Sequence, residues 1–209
     1  MNEREEISSG GRREHERGPY LQAKPTLWLA LLFCLIFLVL NAFAADPQRL
    51  SESQIKAGFV FNFTRFVDWP ASAFGTPASP FLVCVVGAAP LAGLLVETAV
   101  GKAVGGRILT IKSMKPTEDL RTCQVLYLGA TEERQTARIL EGVKGSSVLT
   151  VSDIPRFAPA GGMIGFFIQE NKVKLEINLE AATHEGLRVS SKLIAISRLV
   201  SRNSALGGN

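Results

Sequence analysis

The sequence predicts an α/β domain with a mixed, mostly parallel sheet and an antiparallel hairpin near its C-terminus. Two unbroken apolar runs, FLVCVVG at 81–87 and CQVLYLG at 123–129, show no alternation, as expected of strands covered on both faces. Helix-like and strand-like segments alternate around them at the spacing of crossover units, which favours parallel pairing. Near the end, MIGFFI and VKLEIN flank a turn at 169–172 and read as a hairpin.

The elements follow in order. Ser51 to Trp69 places Ile55, Phe59, Val60, Phe63, Phe66 and Val67 on one face at helical spacing, behind a cap at Ser51 or Ser53 and ahead of the stop Trp69-Pro70. The strand at 81–87 comes next, then a short helix over 90–100 and a loop over 101–106. RILTIKS at 107–113 alternates and predicts a strand with one wetter face. After the second apolar run, Thr131 to Lys144 predicts a charged surface helix with Thr131 as cap and Gly145 as stop, feeding a strand at 147–152. Beyond the hairpin, two helices are expected, at 180–185 and 190–200, the second carrying Leu193, Ile194, Ile196, Leu199 and Val200. The glycine pairs Gly105-Gly106 and Gly161-Gly162 are read as turns that need positive φ or close backbone approach.

Ahead of this domain the run LWLALLFCLIFLVL at 27–40 is followed by Asn41 and the Ala-x-Ala site Ala42-Phe43-Ala44. A spanning helix takes about 20 apolar residues, so the run fits an export signal cleaved near Ala44 or Ala45 better than a lasting anchor. Arg12, Arg13, Arg17 and Lys24 outnumber Glu14 and Glu16 beside it, which keeps the N-terminus cytoplasmic and carries the rest across. The chain therefore divides into 1–45, an n-region plus signal peptide or N-terminal membrane anchor, and 46–209, one domain expected in the periplasm. From Asp46 onward there are 18 Lys and Arg against 14 Asp and Glu, spread along the chain with no basic stripe of the kind nucleic acid requires.

Export removes Cys34 and leaves Cys84 and Cys123 in an oxidising space. They suffice for one bridge, which the chain-entropy model values at about 4 kcal/mol. Equally, each reads as a small buried hydrophobe in a strand.

Catalytic readings find little support. His184 is the only histidine of the exported part, it stands in the charged stretch Thr183-His184-Glu185, and no GxSxG elbow accompanies it. The cysteines are far apart with no histidine near either, so no metal site is expected, and no glycine motif for a nucleotide cofactor is present. Glu118 and Asp119 beside Pro116, and Glu132 and Glu133 in a first helical turn, have adequate structural explanations. Arg65, Asp68 and Trp69 at the end of the first helix, with Glu176 and Asn178 in the hairpin and Arg188 beyond it, are polar groups beside apolar ones. All of these but Asn178 are the candidate partner surface.

The segments IKAGFVFNFTRFVDWP (55–70), VCVVG (83–87), GKAVGGRILTI (101–111), CQVLYLG (123–129), VLTVSDIPRFAPAGGMIGFF (148–167) and KLEINLEAATHEGLRVSSKLIAISRLV (174–200) together resemble the YfiR-like periplasmic proteins. The resemblance covers essentially the whole exported chain in order. It implies a three-layer α/β/α sandwich, commonly dimeric, that represses an inner-membrane diguanylate cyclase by binding its periplasmic domain, lowering cyclic di-GMP and biofilm formation. A sensor kinase is an alternative target. An outer-membrane lipoprotein relieves repression in the namesake system by competing for the repressor. Cys84 and Cys123 fall where the family places one cysteine pair, whereas Ala158 and Gly165 stand in the region of a second pair found in its best-known member, so redox control through that bridge is not expected. The alternative function is a periplasmic small-molecule sensor or solute-binding domain, whose crevice would open at the carboxyl ends of the strands.

Overall fold

The computed structural model of the chain describes residues 51–201, so the apolar run at 27–40, its charged flank and the cleavage site lie outside the described residues. Ser51 opens helix α1 (Glu52–Phe66) with a reciprocal capping box. Its hydroxyl accepts from the Gln54 backbone N–H at 3.2 Å while the Gln54 side chain accepts from the Ser51 N–H at 2.7 Å. The cap is thus Ser51 rather than Ser53. The buried stripe of α1 is centred on Val60 and Phe63 and includes Lys56, Ala57 and Thr64, while Ile55, Phe59 and Phe66 are half-buried.

An eight-stranded sheet forms the middle layer. Its strands are β2 (Phe81–Val86), β3 (Ala103–Val104), β4 (Arg107–Ser113), β5 (Val125–Leu128), β6 (Leu149–Ser152), β7 (Ile164–Gln169), β8 (Lys172–Ile177) and β10 (Ser197–Leu199), in the spatial order β10-β8-β7-β6-β5-β2-β4-β3. Pairing is parallel except for the hairpins β3–β4 and β7–β8. A separate two-stranded ladder joins β1 (Val67–Asp68) to β9 (Arg188–Val189).

Alternate residues of the central strands feed two cores. Val83, Val85, Val125 and Tyr127 pack with α1 and α2 (Ala89–Ala99) on one face. Cys84, Val86, Leu126 and Leu128 pack with Ile139 of α3 (Thr136–Gly142), Ile154 and Phe157 on the other. This is an α/β/α sandwich, and the unbroken apolar runs are explained by burial on both sides. The short helix α4 (Leu179–His184) is capped by Asn178, whose side chain accepts from the Ala181 N–H at 3.0 Å.

Three expectations change. The helix expected over 190–200 is only α5 (Ser191–Ala195); the chain then enters β10, which pairs parallel with β8 from Ser197 against Leu175 to Leu199 against Ile177. The open edge of the hairpin supplies ladder hydrogen bonds that outweigh the helical spacing of Ile196, Leu199 and Val200. The helix expected from Thr131 starts as a 3-10 turn at Ala130–Gln135 and becomes α-helical only at Thr136. The loop over 101–106 contains β3, and Gly105 and Gly106, at φ 56° and 80°, form the two-residue turn into β4. Gly161 also takes positive φ, at 111°, and a Cβ on Gly162 would strike the Phe157 ring, as turns and close approach require.

Lys56 fastens α1 to the sheet. Its ammonium lies 2.6 Å from Asp153 Oδ2 just after β6 and 2.5 Å from Glu52 Oε1 one turn back, with only 10% of its side chain exposed. Burial alone would push the amine down, but hydrogen bonds to Asp153 and Glu52 outweigh it and hold its proton above the usual lysine range. Tyr127 titrates later than a free phenol because it is buried and because it faces Asp153 and then Glu52. Both groups are raised, so their contribution is fully present below the unfolded values of 10.5 and 10.0 and is lost as pH climbs through the folded ones. Lys56→Met is expected to cost about 2 kcal/mol at pH 7 and to flatten the alkaline fall in stability, read by urea denaturation between neutral and strongly alkaline pH. An unchanged midpoint at pH 7 would show that the clamp is idle.

Candidate functional site

The chain leaving α1 builds one wall of a cleft. Thr64, Arg65, Val67, Asp68 and Trp69 form one wall, and Lys102, Ala103, Val104, Gly105 and Arg107 of the β3–β4 hairpin form the other. Phe61, Phe74 and Phe81 complete it, and its volume is about 740 Å³. The cleft opens at the amino ends of β2 and β4, not at the carboxyl ends where a crevice is usual for open α/β sheets. At the carboxyl ends Gly129 packs directly on the Gly87 carbonyl, Thr131 donates its hydroxyl to that oxygen at 3.0 Å, and the Lys56–Asp153 pair lies beside them.

The floor is an edge-on aromatic pair, Trp69 against Phe81, with centroids 4.9 Å apart at 88°. The indole N–H is turned inward and donates to the Gln124 carbonyl at 3.0 Å, so the ring offers the cleft carbon rather than a donor. Around this floor stand three cations and one carboxylate. Lys102 lies 4.2 Å over the Phe61 ring. Arg107 lies 4.0 Å over Phe74 and donates to the carbonyls of Thr76 and Ser79 at 2.8 and 2.7 Å, fixing the rim loop. Arg65 and Asp68 make no ion pair among the described residues.

Of the candidate surface residues, Arg65, Asp68 and Trp69 share this cleft, and Arg188 sits directly opposite Asp68 in the β1–β9 ladder. Glu176 does not join them. It is 5% exposed on β8 and its carboxylate accepts from Arg198 Nη2 at 2.7 Å, while Arg198 also stacks on Phe167 at 4.2 Å. Asn178 is likewise occupied, donating to the Ala158 carbonyl at 3.1 Å besides capping α4. Lys102, Arg107, Phe61 and Phe74 escape sequence reasoning; the available signal was the Gly105-Gly106 turn, which folds Lys102 and Arg107 to the same side.

His184 is exposed, with its Nδ1 3.5 Å from Glu185 Oε1. Cys84 and Cys123 form a disulfide with Cα atoms 5.9 Å apart, buried in the core on the α3 face, with Met114 Sδ 3.8 Å from Cys123 Sγ. No helix among the described residues is long and apolar enough to cross a membrane.

The sandwich carries helices on both faces, a basic cleft floored by aromatic rings and a buried disulfide. The chain belongs to the YfiR/HmsC-like family, whose model matches residues 53–198. Members of this family are in general periplasmic regulators of diguanylate cyclases, regulatory rather than catalytic.

Proposed function

We propose that this protein is exported to the periplasm and represses an inner-membrane diguanylate cyclase by binding the cyclase's periplasmic domain through the cleft, thereby lowering cyclic di-GMP. The observation that carries the reading beyond the family is the cleft's chemistry. Three cations against one carboxylate around an apolar floor suit a protein segment that presents an apolar or aromatic side chain flanked by carboxylates. A lipoprotein with the same chemistry would relieve repression by competing for the same face. A sensor kinase in place of the cyclase would use the cleft in the same way.

Deleting the protein from its host is expected to raise cyclic di-GMP, and returning the parent chain to restore it. Arg65→Glu with Lys102→Glu is expected not to restore it at equal protein level, because two attractive contacts become repulsive ones. Full restoration by that double variant would remove the cleft from the account. The homodimer implied by the family is tested separately, since sedimentation as a lone monomer at micromolar concentration would exclude it.

A second reading, a small-molecule sensor, draws on the volume of the cleft, which lies within the range of ligand pockets, roughly 300–1,000 Å³. A metabolite carboxylate that raises Tm in the parent and not in Arg65→Glu, combined with no membrane partner in cells, would select it.

A further inference from the structure

Gln124 lies behind the cleft, 4% exposed, and joins segments that the sequence keeps far apart. Its Oε1 accepts from the Leu82 N–H at 2.8 Å and its Nε2 donates to the Ala73 carbonyl at 2.7 Å. Its own N–H donates to the Leu82 carbonyl at 2.9 Å, and its carbonyl accepts from both the Leu149 N–H at 2.9 Å and the Trp69 indole at 3.0 Å. Ala73 begins the rim that carries Phe74 and the two carbonyls gripping Arg107, while Leu82 follows Phe81 of the floor. The preceding residue, Cys123, is bonded to Cys84 two residues beyond Leu82, which fixes this backbone against β2.

We propose that the Gln124 side chain is the positioning residue of the cleft: it draws the Phe74 rim onto Phe81, the ring against which Trp69 packs, while the Gln124 main-chain carbonyl holds the indole, so the binding surface is set before a partner arrives. The chemistry singles out an amide. One end must accept from Leu82 and the other must donate to Ala73, a pair of roles that a carboxylate or a thioether of similar length cannot fill together. Loss of either role strands a half-buried main-chain group, and the rim relaxes to find water. The consequence for docking rests on the function proposed above; the geometric claim does not.

The test uses the full chain with Trp28→Phe, so that Trp69 is the only tryptophan, and acrylamide as a quencher. In Gln124→Met the Trp69 emission is expected to shift to the red and acrylamide quenching to rise several-fold while far-ultraviolet dichroism stays native. Ile139→Ala, a core loss on the opposite face, is expected to lower Tm without moving either readout. Gln124→Glu is expected to quench readily at neutral pH and to return towards the parent as pH falls, because a protonated carboxyl regains the donor. Parental emission and quenching in a folded Gln124→Met, the same change in Ile139→Ala, or no recovery of Gln124→Glu on acidification would each overturn the proposal. The readout needs no partner, so its failure leaves docking untouched, whereas failure of the parent chain to capture a partner overturns the docking reading alone.

Discussion

Phe63→Ala is expected to destabilise the domain by about 3–5 kcal/mol, more than any other single core substitution considered. Phe63 is completely buried in α1 and its ring forms a triangle with Phe59, 6.3 Å away at 26°, and Phe166 of β7, 6.1 Å away at 27°, closed by Phe59 and Phe166 at 6.0 Å. Phe166 in turn leans on Tyr127 of β5 at 6.4 Å. Truncation removes the fully buried ring of this triangle and leaves a cavity whose neighbours are themselves large, so little collapse can offset the loss. Urea denaturation of parent and variant checks it. A loss under about 1 kcal/mol would mean that the α1 face is not packed as described. The cleft should suffer too, since Arg65 stands in the last turn of α1 and the chain leaving the helix delivers Trp69.

Removing the disulfide through Cys84→Ala with Cys123→Ala is expected to cost about 4 kcal/mol in the chain-entropy model. The bridge closes a loop of sequence separation 39 and both sulfurs lie in a sealed core, 0% and 1% exposed, so no surface exposure weakens the constraint. Its burial also argues for a permanent staple and against a readily switched thiol pair. Equal denaturation midpoints for parent and double variant, with free thiols found in the denatured parent, would contradict the bridge. Intact bonding with equal midpoints would contradict its energetic role.

Much of this fold was legible because its signals are local. The start of α1 at Ser51 or Ser53, the two doubly covered strands and the hairpin turn can all be seen within a dozen residues. The two-residue strands β1, β3 and β9 were not, because such segments are too short to show any period and exist only through their partners. One miss explains another: Ser197–Leu199 looked helical, so nothing announced that Arg198 would stand opposite Glu176 and donate to its carboxylate. The cleft was half legible. Arg65, Asp68 and Trp69 follow one another at a helix end, whereas Lys102 and Arg107 reach it only through the Gly105-Gly106 turn. Gln124 looked like one polar residue within an apolar run, and its role depends on four segments meeting.

Docking of a membrane signalling enzyme in the amino-end cleft is the proposal on which the function rests. The most direct test is to crosslink intact host cells carrying the C-terminally tagged chain and to identify by mass spectrometry what it captures from solubilised membranes, beside Arg65→Glu with Lys102→Glu at equal expression. The expected capture is an inner-membrane protein with a diguanylate cyclase or kinase domain, crosslinked through its periplasmic part and lost in the double variant. Recovery of the chain alone at good expression, or equal capture by both, would contradict it.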